Sequence, residues 1–178
     1  GMFTANSMNC MTEGLGIALR GNGTIPAVYS ERKRLAKKTG IKIMELIEKD
    51  IKARDIMNEK AFENALALDM SLGCSTNTVL HLSAIAHEAK VDMNLDIINE
   101  VSSRVPNLCK LSPAGNDYIE DLNKCGGIYA VMNELNKYKL INSNIMTCEG
   151  KTVGELLTEK TNNKVIRDID NPYSKTGG

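Results

Sequence analysis

The stretch NEKAFENALALDMSLGCSTNTVLHLSAIAHEA, residues 58–89, predicts two consecutive helices separated by a single glycine. In its first half, apolar residues recur three and four positions apart, as on one face of a helix. These residues are Ala61, Phe62, Ala65, Leu68 and Leu72. Asn58 belongs to the residue types that cap helix starts, and Gly73 to those that end helices.

The second half of the stretch predicts a buried helix, because it has few charges and a wide apolar stripe. The stripe and its neighbours are Val79, Leu82, Ala86 and Ala89, with Leu80 and Ile85 beside them. Ser75 can cap this helix.

The remaining patterns predict further helices around this pair. They cover an opening helix that ends near residue 20, residues 29–38 closed by Gly40, 43–51, 92–105, 118–124, 128–140 and a capping box at 152–155. Residues 21–26 predict a turn, and residues 107–111 and 165–167 are strand candidates. The predicted fold class is therefore α/β and helix-rich.

Composition narrows the class of protein. With 178 residues, 42% of them hydrophobic, the chain can bury the core of one ordinary domain. Twenty-two basic and twenty-two acidic residues cancel, so we expect neither nucleic acid nor a membrane surface as a partner. Five cysteines at wide, irregular spacings favour a reducing cytoplasm over a disulfide framework.

The segment 73–77, Gly-Cys-Ser-Thr-Asn, is the candidate site. Its small polar side chains stand where a helix begins, and the free amides and positive dipole end there can hold a carboxylate or a phosphate. The alternative is structural: Ser75 only caps the helix and Gly73 only ends the previous one. His81 and His87 are six residues apart, about 600° of helical rotation, so they cannot chelate one metal ion together.

Six segments, in order and along the whole chain, resemble the dihydroxy-acid and phosphogluconate dehydratase family. They are residues 1–10, 21–24, 61–65, 73–81, 105–110 and 173–178. The resemblance implies a hydro-lyase that converts 2,3-dihydroxy acids to 2-oxo acids with an iron–sulfur cluster and Mg²⁺. Residues 1–10 are more similar to the branched-chain amino-acid enzyme than to the sugar-acid members.

The resemblance also implies that the chain is an internal fragment, since it opens inside an element. Residues 1–163 would be the later part of the amino-terminal α/β/α domain, and residues 164–178 a linker into the carboxy-terminal barrel domain. The full-length enzyme would be a homodimer acting on a small dihydroxy acid. Two alternatives stay open: a sugar-acid dehydratase of the same family, and a helical binding module without catalysis.

In the family, the cluster cysteines, the magnesium ligands and the serine base occupy positions outside this chain. We therefore expect no catalytic or metal-binding residue here, and no activity from the fragment alone. Thr4 and Asn6 would orient the nearby cluster cysteine or line its cavity, and Ser75, Thr76 and Asn77 would bind substrate. Cys74 stands where the family usually has glycine.

Overall fold

Nine helices form the framework of the described residues, 1–162 and 164–178, in a computed structural model of the chain. About half of these residues are helical. The helices are α1 (Thr4–Gly14), α2 (Ser30–Glu48), α3 (Ala53–Ile56), α4 (Glu59–Leu72), α5 (Asn77–Ala89), α6 (Leu95–Arg104), α7 (Ile119–Lys124), α8 (Gly127–Asn136) and α9 (Val153–Leu156). None of the helices in the described part of the chain is long and apolar enough to cross a membrane.

Helix α4 is the centre of the core and contacts α1, α5, α6 and α8. It begins where the sequence predicts, since the Asn58 side chain accepts the N–H of Ala61 at 3.2 Å. It ends at Gly73, whose φ of 65° is left-handed and costs a glycine little. Both predicted ends of this helix are confirmed.

Helix α5 follows as predicted, but it is not buried all round. Leu82 and Ala86 face the core, whereas Leu80 is 65% exposed. The predicted apolar stripe is therefore confirmed, and the prediction of a buried helix is wrong for the opposite face. The reason is that α5 packs on α1 and α4 along one side only.

Helix α2 runs without interruption through Gly40, so the predicted helix end at that residue is wrong. A glycine inside a helix costs about 1 kcal/mol relative to alanine, too little to stop a helix that is otherwise favourable. Leu46 is the buried residue of this helix, which lies along the surface.

The two strand predictions are also wrong: within the described residues, 107–111 and 165–167 form no extended strand. Asn107 and Leu111 each form an isolated bridge, with Ser174 and Asp117. The N–H of Arg167 donates to the carbonyl of Leu108 at 3.0 Å. These backbone groups form single hydrogen bonds with irregular segments. A strand would need a neighbouring strand that pairs with it residue after residue. The helix-rich part of the predicted class is confirmed, while support for its β part is loose.

The turn at residues 21–24 closes around the buried carboxylate of Glu13. Its two oxygens accept the N–H groups of Gly21 at 2.9 Å and of Gly23 at 2.5 Å. Burial outweighs these bonds and raises the pKa of Glu13 to about 7. Gly23 also lies against α1, because a Cβ there would be 2.8 Å from the Cα of Cys10.

The last segment, residues 164–178, packs against the helices. Ile166 is fully buried, and the N–H of Gly178 donates to the carbonyl of Met70 at 3.0 Å. On the α8 side, Lys160 bonds to Glu134 at 3.2 Å and also to Asp168. Asn163, where we place the domain boundary, lies outside the described residues, and the boundary stays a prediction.

Candidate functional site

The starts of α1 and α5 meet at the surface. The side-chain amide nitrogen of Asn77 donates to the hydroxyl of Thr4 at 2.7 Å. Next to this bond, the N–H of Ser75 donates to the buried hydroxyl of Ser7 at 3.1 Å. The structure thus brings together Thr4, Ser75 and Asn77, although more than 70 residues of chain separate the two helix starts.

Ser75 caps α5, although it lies two residues before Asn77, the first residue of the helix. Its hydroxyl accepts the N–H of Asn77 at 3.3 Å, and its carbonyl accepts the N–H of Thr78 at 2.9 Å. Thr76 is exposed, and its side chain makes no capping bond. The amide of Asn6 donates instead to the sulfur of Met2 at 3.2 Å. Asn77 is exposed too, but its amide is bonded to Thr4 and Ser75, whereas the exposed Thr76 side chain makes no capping bond.

Sequence reasoning missed Asp69, which lies beneath the start of α5. One carboxylate oxygen accepts the hydroxyl of Thr78 at 3.0 Å, and the other has no hydrogen-bond partner among the described residues. Burial raises the pKa of Asp69 to about 6, against the opposing effect of bonds from Thr78 and Cys74. A lone acid in the apolar run 65–72 is the sequence signal that could have found it.

Cys74 also borders this buried group. Burial raises the pKa of its thiol, and the neighbouring Asp69 raises it further. A thiol in such surroundings stays protonated near neutral pH and is a poor nucleophile.

The last residues, 173–178, form another edge of the site. The side-chain amide of Asn107 donates to the carbonyl of Ser71 at 3.2 Å. A Cβ on Gly178 would be 2.5 Å from that amide nitrogen and 3.2 Å from the Cα of Gly73. The segment 173–178 therefore passes directly over the glycine turn that precedes α5.

The described residues do not fit a metal cofactor. No group of three or more histidine, cysteine or acidic side chains lies close enough in this part of the chain to hold a metal ion. Four of the five free thiols, those of Cys10, Cys109, Cys125 and Cys148, are buried. An iron–sulfur cluster needs several thiolates on one centre, and Mg²⁺ needs several oxygens.

Comparison with known proteins assigns this helical unit to a class. A model described as the amino-terminal region of dihydroxy-acid/6-phosphogluconate dehydratases matches residues 1–156. The chain belongs to this family.

Similar curated proteins carry the name dihydroxy-acid dehydratase. Those of Clostridium beijerinckii, Lachnoclostridium phytofermentans and Acetivibrio thermocellus are 65%, 64% and 64% identical to the chain. Each match covers 100% of this chain and 32% of the relative, so the chain spans about a third of the relatives' length.

Proposed function

We propose that the whole protein is a dihydroxy-acid dehydratase, a hydro-lyase that converts 2,3-dihydroxy-3-methyl acids to 2-oxo acids in valine and isoleucine biosynthesis. The observation that carries the proposal is the match of the entire chain, at 61–65% identity, to relatives with that name. In the reaction, C2 loses a proton and C3 loses its hydroxyl group. The resulting enol then tautomerises to the 2-oxo acid.

This chain would contribute the group that holds the substrate carboxylate. The positive end of the α5 dipole favours an anion, and Thr76 adds an exposed hydroxyl at that end. Ser75 and Asn77 would act mainly by geometry, since their bonds fix the start of α5 against α1.

The iron–sulfur cluster and Mg²⁺ would be bound by polypeptide outside residues 1–178, because the described residues provide no ligand set for either. Thr4 and Asn6, in the first turn of α1, would orient the nearby cluster ligand or line the cavity around the cluster. The fragment alone would be inactive. The whole enzyme would be a cytoplasmic homodimer.

The experiment compares Thr76→Val with His87→Ala in the full-length enzyme. Thr76→Val removes the hydroxyl at the start of α5, while His87→Ala changes an exposed residue near the other end of the same helix. We expect KM for 2,3-dihydroxy-isovalerate to rise about tenfold for Thr76→Val, the effect of one lost hydrogen bond to a charged group, with kcat little changed. His87→Ala should match the wild type.

Each outcome decides a different part of the proposal. No 2-oxo acid from any dihydroxy acid would reject the dehydratase and favour a non-catalytic module. An unchanged KM for Thr76→Val would reject only the substrate-binding role at α5. The second candidate is a sugar-acid dehydratase, since the matched family includes 6-phosphogluconate dehydratases. Higher kcat/KM on 6-phosphogluconate or arabinonate than on dihydroxy-isovalerate would establish it.

A further inference from the structure

Asp69 is a buried acid that the proposed reaction does not use, and it lies beneath the start of α5. One carboxylate oxygen, Oδ1, has no hydrogen-bond partner among the described residues. The other, Oδ2, lies 3.0 Å from the hydroxyl oxygen of Thr78, the second residue of α5. A buried polar atom without a partner is rare in folded proteins, so packing alone does not explain this acid.

The Thr78 hydroxyl has one proton and two acceptors within reach. Its oxygen lies 3.0 Å from Oδ2 of Asp69 and 2.8 Å from the carbonyl oxygen of Ser75. When Asp69 is ionised, the carboxylate takes this proton, because hydrogen bonds to charged groups are the stronger ones. When Asp69 is protonated, its own O–H donates to Thr78, and the Thr78 proton goes to the Ser75 carbonyl. The protonation state of Asp69 is therefore transmitted to the turn that starts α5.

The same acid sets the charge beneath the anion site. Neither the hydroxyl nor the N–H of the exposed Thr76 has a hydrogen-bond partner among the described residues. Both donors are available to a carboxylate at the positive end of the α5 dipole. An ionised Asp69 below that end repels such a carboxylate, because like charges are screened weakly where water is excluded. A neutral Asp69 does not repel it.

No neighbouring charge compensates Asp69 in the part of the chain that the structure describes. Burial raises its pKa to about 6, and bonds from Thr78 and Cys74 oppose that shift. Its causes include no charged side chain of α1, α5, α6 or α8, and Glu13 at the far end of α1 is not among them. The facing thiols of Cys10 and Cys74 have pKa values raised by burial, so both stay neutral.

We propose that Asp69 is a positioning residue coupled to the substrate by one proton: the substrate carboxylate binds at the start of α5 while Asp69 takes up a proton from solvent. The coupling is reciprocal, because the anion favours the neutral acid by as much as the neutral acid favours the anion. This inference rests on the substrate-binding role of α5 proposed above. It adds the regulation of that site, since affinity for the substrate falls as pH rises and Asp69 ionises.

Calorimetric titration of the full-length enzyme with 2-oxo-isovalerate, the product of the proposed reaction, counts the protons. Titrations at pH 7 in buffers that differ in ionisation enthalpy give the number of protons taken up on binding. Uptake should be smaller for Asp69→Asn than for the wild type, by up to about one proton. Asp92→Asn, a change at an exposed acid, is the control and should match the wild type.

The pH dependence of KM for 2,3-dihydroxy-isovalerate measures the consequence for the substrate. Its carboxylate stays ionised from pH 5.5 to 8, since the ordinary pKa of such a group is about 3.5. KM of the wild type should rise about fivefold more over this range than KM of Asp69→Asn, and the two should agree at pH 5.5. A purely structural role would change KM by the same factor at every pH. His81 and His87 are present in both proteins and cancel from the ratio.

Thr78→Val provides a second variant that does not alter the acid itself. It removes a bond that favours the ionised form of Asp69, so KM should begin to rise at a higher pH than in the wild type. If Asp69→Asn does not fold, this shift decides the inference, and an unshifted profile overturns it.

The outcomes separate this inference from the proposed function. Equal proton uptake by Asp69→Asn and the wild type, or a KM ratio that is the same at every pH, overturns the role of Asp69 alone. An unchanged KM for Thr76→Val rejects the substrate-binding role of α5, and this inference with it. An enzyme that makes no 2-oxo acid from any dihydroxy acid rejects the proposed function as a whole.

Discussion

Asp69 shows the cost of a buried acid most clearly at the scale of one residue. It is 5% exposed on the central helix, and one of its carboxylate oxygens has no hydrogen-bond partner among the described residues. Taking an ionised carboxylate out of water is unfavourable, and the bond from Thr78 offsets only part of that cost. Its pKa of about 6 in the fold, against an ordinary 3.8, expresses this imbalance.

This imbalance predicts a pH-dependent stability that Asp69→Asn removes. The native state binds the proton of Asp69 more tightly than the unfolded state, so this contribution is fully present below about pH 4 and is lost as pH rises through about 6. Asparagine can still accept from Thr78 and carries no charge. At pH 8 the variant should therefore be more stable than the wild type by roughly 2–3 kcal/mol, and at pH 4 the two should be similar.

Urea unfolding at pH 4, 6 and 8 measures this difference. Asp92→Asn is the control, because Asp92 is exposed. A difference between Asp69→Asn and wild type that stays constant across this range would show that Asp69 keeps its charge at no cost in the fold. Glu13, with its pKa of about 7, is unchanged in both proteins and cancels from the comparison.

At the scale of elements, two glycines predict opposite responses to the same change. A Cβ on Gly23 would be 2.8 Å from the Cα of Cys10 and 3.0 Å from its nitrogen, and backbone atoms of a buried helix cannot easily move away. Gly23→Ala should lower the free energy of unfolding by about 2–3 kcal/mol, as overpacking does. Gly40→Ala, in the open middle of α2, should raise it by about 0.5–1 kcal/mol. Chemical denaturation of both variants checks the pair, and equal effects would contradict it.

The sequence could predict those features of the fold that depend on neighbouring residues, such as helix caps. The Asn58 cap needs only neighbouring residues, and so does the box in which Thr152 and Glu155 accept each other's N–H groups. The predicted helix end at Gly40 was wrong because the free-energy cost of one glycine is small compared with the stability of a 19-residue helix. The predictions of strands at 107–111 and 165–167 were wrong because a strand needs a partner strand that is distant in sequence, and local composition does not reveal that partner.

The same distinction applies to the candidate site. The turn at Gly73 and the cap at Ser75 follow from adjacent residues, and the structure has both. The bond between Asn77 and Thr4, and the position of Asp69 beneath α5, arise only when separate helices pack. No periodicity in the sequence could predict them.

At the scale of the whole molecule, Asn107 joins the central helix to the end of the chain. Its side-chain amide donates to the Ser71 carbonyl, and its backbone N–H donates to the carbonyl of Ser174 at 3.0 Å. Its own carbonyl accepts the N–H of Tyr173 at 2.9 Å. The ring of Tyr173 in turn lies 3.8 Å from the guanidinium of Arg167, a stabilising cation–π contact. Asn107 is thus one of the buried residues that hold the end segment to the helices, beside the bond from Gly178 to the Met70 carbonyl.

Asn107→Ala should loosen that segment without unfolding the helices. The change removes one of three bonds to the Ser71 carbonyl, which keeps the N–H groups of Leu108 and Cys109 at 2.9 and 3.1 Å, and it opens space beside Gly178. The expected cost is that of one hydrogen bond, about 0.5–1.5 kcal/mol. Hydrogen exchange should become faster, by up to about tenfold, at the amides of Tyr173 and Gly178, since 1.4 kcal/mol of opening free energy corresponds to that factor. Amides inside α4 should keep their protection. Asn99→Ala, an exposed change on α6, is the control, and equal exchange in the two variants would show that the segment docks independently of Asn107.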